Sequence, residues 1–331
     1  MEGVTTTPTH PISAHGHSDP GACSVVAEAV DVPAFGTAAP ARFWVGVEQP
    51  GPWGRVAALQ SHLPKDVGTA LDRECSNRGG RLVLVRRPGS HPDPPRTPQR
   101  LFAAWSGPGE FLLSTHFLDP ERLLDLDLDA LARGDASAVA ASLPDLVATD
   151  PVLLVCTNGR RDVCCAVRGR PVALAGHAAY PKRVWECSHT GGHRFSATGV
   201  LLPWGRTLAR LEDEPAHTLL DAADDGRLPS ELLGPRNDRG WSAIPAPWQA
   251  AESLVREVAG ATDLAAARID PQPGASVAQG GPVRVTLADG RAWLVEVTKG
   301  RTEPHPGSCG QPAVPSATWT PRIVEPAGPA T

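Results

Sequence analysis

The sequence predicts an α/β protein, with helices packed on a mixed (α+β) sheet of parallel and antiparallel strands. Three observations carry this expectation. Strand-like apolar runs alternate with segments of helical spacing, the order of a sheet covered by helices. The first and central parts of the chain share the order strand, helix, strand, strand. Near the C-terminal end, Asp289-Gly290 stands between alternating apolar residues and marks a separate hairpin.

In chain order, residues 1–21 have neither a basic nor an apolar leader region, so they are expected to be a disordered tail and not a signal peptide. Arg42 to Glu48 reads as a strand, closed by the turn Pro50-Gly51-Pro52-Trp53-Gly54. Val56, Leu59, Leu63, Val67 and Leu71 then recur at helical spacing as far as Cys75, and Pro64 should kink or split that helix. Further strands are expected over Arg81–Val85, Leu101–Trp105 and Phe111–Phe117, the first two separated by a proline-rich loop at residues 88–98. Asp119-Pro120 supplies a capping acid and a proline at the first helical position. The following LLDLDLDALARG is read as a helix, not as a strand or a carboxylate cation site, because acids favour a helix N-terminus. Together these elements make an N-terminal α/β module over residues 22–145.

The central domain, residues 150–228, reads as strand Val152–Val155, a cysteine loop, a helix from about Cys165 to Tyr180 and a strand Arg183–Glu186. A histidine loop, a hairpin (Gly199–Leu202 with Thr207–Leu211, turning at Pro203-Trp204-Gly205) and a helix near residues 214–225 complete it. This order resembles a thioredoxin-like sheet. The N-terminal module has a similar order, consistent with a diverged tandem pair, although no sequence repeat is visible. Beyond a linker rich in Pro, Gly and Asp, residues 240–312 should form a small α+β piece with a helix near Trp248–Val258 and the hairpin Val283–Leu287/Ala292–Val297. Residues 302–321 read as loop, continuing into a tail to Thr331.

Composition removes several function classes. A net charge of -5 without a basic stripe argues against a nucleic-acid partner. No apolar run is long enough for a membrane span. Seven cysteines without a secretory signal point to a reducing, cytoplasmic setting, where clustered cysteines serve as metal ligands or redox groups more often than as disulfides.

The stretch from Pro151 to Phe195 concentrates the chemistry, with four of the seven cysteines and three of the eleven histidines. Thiolates and neutral imidazoles are the usual ligands of zinc, iron–sulfur clusters and copper. Cys156 stands at a strand end, and His189 and His193 can fold onto one centre across Gly191-Gly192. A second thiolate must come from Cys164, Cys165 or Cys187. Neighbours at a helix start point about 100° apart, so one of the pair Cys164-Cys165 should face the centre, with Cys187 in reserve. Arg160, Arg161 and Arg194 flank the site, either to dock an acidic partner or, for Arg161 with Asp162, as a bracing ion pair. A thiol oxidoreductase working through Cys164-Cys165 is disfavoured, because adjacent cysteines make a strained disulfide. Composition and spacing leave zinc and iron both open.

The motifs C-x2-G-x-R-D-x-C-C-A (from Cys156) and W-E-C-S-H-x-G-G-H-R-F (from Trp185) resemble the sucrase/ferredoxin-like family. Val47 to Gly54 and Ser308-Cys309-Gly310 are also similar to that family's signatures, so the resemblance extends over about residues 22 to 312. It implies a thioredoxin-like 2Fe-2S ferredoxin of the bis-histidine branch. The ligands would be Cys156 and Cys165 (C-x8-C) with His189 and His193 (H-x3-H), and Thr157, Arg161, Asp162, Cys164 and Ser188 would surround them. Cys164 and Cys187 are the fallback ligands, and a structural Cys2His2 zinc site is the alternative. Asn158 replaces a histidine frequent in relatives. The implied role is electron transfer with a redox partner protein or reductase, with no carboxylate pair to act on a sugar. Two imidazoles in place of two thiolates should raise the potential above the roughly −400 mV of plant-type ferredoxins, and their N–H groups should couple reduction to proton uptake. Cys23, Cys75 and Cys309 receive no role from the sequence.

Overall fold

Strands β1 (Phe43–Glu48) and β6 (Val152–Cys156) lie in the middle of a ten-stranded sheet and are buried along almost their whole length, which is why both read as continuous apolar runs. The computed structural model describes residues 19–89, 98–212 and 215–329. Residues 1–18 of the expected tail and residues 90–97 of the proline-rich loop lie outside the described residues.

In order, the chain forms α1 (Cys23–Ala29), β1, α2 (Ala57–Gln60), α3 (Lys65–Asn77), β2 (Arg81–Arg86), β3 (Gln99–Trp105) and β4 (Phe111–Phe117). It continues with α4 (Leu128–Arg133), α5 (Ala136–Ser142), β5 (Val147–Ala148), β6, α6 (Val163–Ala179), β7 (Val184–Cys187), β8 (Gly199–Leu202), β9 (Arg206–Leu208), α7 (Pro215–Asp224) and β10 (Asp238–Trp241). The C-terminal part is α8 (Ala246–Ala259), β11 (Arg268–Pro271), β12 (Gly280–Thr286), β13 (Arg291–Arg301), β14 (His305–Pro306), β15 (Ala313–Val314) and β16 (Ala317–Pro329).

The sheet order is β10-β9-β8-β6-β7-β2-β1-β3-β4-β5. Both halves are wound the same way. A strand, a helix and a parallel strand are followed by two antiparallel strands, giving β2-β1-β3-β4 in one half and β7-β6-β8-β9 in the other. Two antiparallel pairings, Val85 with Cys187 and Arg86 with Glu186, join the halves into one mixed α/β layer. One apolar face runs across the join, where Phe102 meets Trp185 edge-on with ring centroids 5.4 Å apart. Such an aromatic pair adds about 0.5–1.5 kcal/mol beyond the area it buries.

Pro64 splits the first helix as expected and caps α3, whose Val67, Leu71 and Cys75 face the core. The segment after Asp119 departs from a single helix. Asp119 caps only a 3-10 turn (120–125), and Asp127 and Asp135 each cap a fresh short helix, accepting from Ala130 N at 2.8 Å and Ala138 N at 3.0 Å. The recurring acids thus restart the helix. Residues 302–321, expected as loop, instead hold the β14/β15 ladder and the start of β16, which pairs with β13 at the edge of the second sheet, β11-β12-β13-β16. Its prolines hide the strand signal, yet an edge strand tolerates them because its outer N–H groups need no partner.

Helix α8 packs Trp248, Ala251 and Val255 on this second sheet against Val283, Val285, Val295 and Val297. From its other side Glu252 accepts a bidentate pair from Arg206 on β9 at 2.7 and 2.8 Å, with Asp238 of β10 and Arg256 in the same buried group. Among the described residues no helix is long and apolar enough to cross a membrane.

Candidate metal centre

Two sets of ligand-type side chains meet at the start of α6, and the vicinal cysteines divide between them. Asp162 begins the helix by accepting from Cys164 N at 2.9 Å. Gly169 lets α6 settle on the end of β6, since a Cβ there would stand 2.3 Å from the Cys156 carbonyl oxygen. This close approach brings Cys165 to Cys156.

β7 runs parallel beside β6, with Cys156 opposite Cys187, and delivers Ser188 and His189 past its end. The chain reverses through Gly191 (φ +81°) and Gly192 (φ +75°), a left-handed backbone that glycine adopts without strain. His193 is thereby returned onto His189, the rings stacked with centroids 4.7 Å apart and planes 24° from parallel. His193 Nδ1 lies 3.2 Å from Cys165 Sγ, Ser196 Oγ donates to that sulfur at 3.6 Å, and Cys156 Sγ lies 3.7 Å from the Ser188 carbonyl oxygen. The thiols are buried, and the imidazoles sit half-buried at the rim. A hydrogen bond from Cys165, aided by His189, holds Cys156 well below the ordinary thiol range despite its burial, and the same bond pushes Cys165 well above it. Burial lowers His193, and the neighbouring His189 lowers it further.

Arginines surround this group. Arg239 donates to the Gly191 carbonyl at 3.0 Å, to Thr37 Oγ1 at 3.1 Å and to the Thr37 carbonyl, and burial pushes it down to about 9, with Arg194 and Arg81 adding repulsion. Arg81 reaches the His189 carbonyl at 3.3 Å, and Arg194 lies over the Phe195 ring at 4.5 Å. Among the described residues no ion pair neutralises Arg81, Arg194 or Arg239.

The second set is Cys23, Asp162, Cys164 and Cys309, whose ligand atoms all lie within 4.8 Å of one another, close enough to hold a metal ion. Sulfur–sulfur distances are 3.2 Å for Cys164–Cys309 and 3.6 Å for Cys23 with each of the other two. Hydrogen bonds from Cys23 and Cys309 bring Cys164 down to about 2, while Cys23 moves far up and Cys309 rises to about 12. Spacing gave no sign of this group, because Cys23 and Cys309 stand 286 residues apart. The available hints were three cysteines without assignment and the family-like Ser308-Cys309-Gly310.

Other residues singled out in the sequence have definite places. Cys187 is enclosed in the apolar face beside Cys156, where burial raises its thiol well above the ordinary range, and Cys75, on the core-facing side of α3, is pushed up to about 12 by burial. Thr157 donates to Glu186 Oε2 at 2.7 Å, and Ser188 Oγ accepts from Leu84 N at 3.1 Å. The expected brace between Arg161 and Asp162 is replaced. Asp162 Oδ2 accepts from Ser308 Oγ at 2.5 Å and from Cys309 N at 2.8 Å, and among the described residues no ion pair links Asp162 to Arg161. Asn158 donates to the Gly54 carbonyl at 3.1 Å, docking the Pro50–Gly54 turn on the cysteine loop, and Trp53 in that turn lies buried 4.2 Å from the Arg86 guanidinium.

A family model described as sucrase/ferredoxin-like matches residues 36–233, more than half of the chain. No curated protein and no solved structure matches it.

Proposed function

The chain belongs to the sucrase/ferredoxin-like family, and from that premise we propose that Cys156, Cys165, His189 and His193 hold a 2Fe-2S cluster and that the protein carries electrons. The donor set fits the group: two thiols, one of them already favoured as thiolate, face two imidazoles, one of which turns Nδ1 to the sulfur. When bound, such a cluster supplies a centre that gains and loses one electron.

The observation that carries the redox reading over a structural Cys2His2 zinc site is the gathering of three guanidiniums, Arg81, Arg194 and Arg239, around the group with no ion pair to any of them among the described residues. A permanent zinc staple gains nothing from buried guanidiniums. A centre that becomes more negative on reduction is favoured by them.

The remaining residues act through position. β6 and α6 keep the two thiols dry, while the half-buried imidazoles face the surface where a partner would approach. His193 directs Nδ1 inward, so Nε2 is the atom left to hold or release a proton, and the midpoint potential should fall as pH rises. Exposed Arg160 offers an acidic redox partner or reductase a point of contact. On this reading both halves of the large sheet are thioredoxin-like, and one of them has kept a metal centre.

The test is a visible spectrum with iron and acid-labile sulfide counts on anaerobically purified protein. Red-brown protein with about two irons and two sulfides per chain, bleached by His193→Ala, is the expected result. Iron-free protein whose zinc is lost on His193→Ala would reduce the centre to a structural one.

A further inference from the structure

We infer that Cys23, Asp162, Cys164 and Cys309 form a second metal site, of the closed structural zinc type, separate from the cysteine–histidine group. The geometry is that of a coordination shell. Zinc bonded to thiolates at about 2.3 Å sets the sulfurs of a tetrahedron about 3.8 Å apart. The three sulfurs lie 3.2, 3.6 and 3.6 Å from one another, and Cys23 Sγ lies 3.8 Å from each Asp162 oxygen. A disulfide needs about 2.05 Å and can join only two of the three. A metal ion uses all of them.

The fourth donor is held in place. Asp162 Oδ1 accepts from Cys164 N, and Oδ2 accepts from Cys309 N and Ser308 Oγ. A carboxylate has about four acceptor positions, so these three bonds fix its orientation and leave one for the ion. Ser24 Oγ donates to Cys164 Sγ at 3.3 Å, which orients that sulfur as well. Three soft thiolates exclude calcium and magnesium, which take oxygen ligands, and the carboxylate disfavours copper(I). Zinc accepts both donor types and four-coordination. Cys23, Asp162 and Cys164 are buried, and half-exposed Cys309 stands at the entrance.

The site also has a mechanical role. It ties the first residue of α1, the start of α6 and the loop after β14, segments that are otherwise 139 or more residues apart. α1 packs against Phe195, in the same 3-10 turn as His193, so the site braces the elements that carry Cys165 and His193 while taking neither. Cys23 and Cys309 fall outside the residues matched by the family model.

The experiment is metal analysis of the full chain as purified under reductant, beside Cys309→Ser and Cys23→Ser. The expected result is about one zinc per chain in the wild type. Each variant should lose it, zinc affinity falling roughly a hundredfold or more, with iron, sulfide and the visible spectrum unchanged. Ser308→Ala removes no ligand and should weaken zinc binding about tenfold through the freed Asp162. Protein produced with cobalt should show a thiolate-to-cobalt band that Cys309→Ser lacks. A zinc-free wild type, a zinc content undiminished in both cysteine variants, or a Cys164–Cys309 disulfide in the reductant-purified protein would each overturn the assignment. The site stands without the iron reading: if the cysteine–histidine group holds zinc instead, the wild type should carry about two zincs, and Cys309→Ser and Cys23→Ser should each lose one of them while His193→Ala loses the other.

Discussion

Arg239 supports the histidine loop with its charge as well as its hydrogen bonds. A Cβ on Gly192 would stand 2.6 Å from its Nη2, so loop and guanidinium fill one space. Arg239→Met should cost about 1–3 kcal/mol, because the Gly191 and Thr37 carbonyls would lose their buried donor. It should also lower the midpoint potential of the proposed cluster, because a positive charge near the centre is removed. Redox titration beside thermal melting separates the two effects. A lower melting temperature with an unchanged potential would limit Arg239 to structure.

At the scale of the element, α6 matters most, since its first turn gives one cysteine to each ligand group. Gly169 sets its height above β6. Alanine is the better helix former by about 1 kcal/mol, but its methyl would meet the Cys156 carbonyl at 2.3 Å, and overpacking of that kind costs about 1–3 kcal/mol. Gly169→Ala should therefore lower stability in urea unfolding and loosen the Cys156–Cys165 approach. A stabilised variant would show that the helix can move at little cost. Pro64 and Asp162 act at the same level: one stands at the N-cap of α3, and the other starts α6 where Cys164 and Cys165 are needed.

Across the whole molecule, the two sheets are coupled through Arg206, Asp238, Glu252 and Arg256. Burial would raise Glu252, yet Arg206 and Arg256 bring it down to about 2, below its ordinary 4.5. A depressed acid contributes stability that is present above its unfolded value and lost as pH falls through the folded one. Docking of α8 should therefore weaken between about pH 4.5 and pH 2, which fluorescence of Trp248 would follow. Asp238 is raised by burial, so its contribution has the opposite sign and weakens the group as pH rises. Glu252→Gln leaves two buried guanidiniums facing a neutral amide and should cost about 3–5 kcal/mol.

Legible in the sequence were strands β1 to β4 and β6 to β9, the break at Pro64, the helix after the cysteine loop and the stretch that holds Cys156, Cys165, His189 and His193. These rest on short-range physics: apolar periodicity, proline geometry, and ligands at the ends of two neighbouring parallel strands, 37 residues apart at most. The rest came from folding. It joined the two halves through β2 and β7, made the proline-bearing C-terminal segment an edge strand, surrounded the histidine loop with arginines, and gathered Cys23, Cys164 and Cys309 around Asp162. Those contacts span up to 286 residues, and a side chain leaves no periodic trace in a sequence of a partner it meets only after the chain has folded.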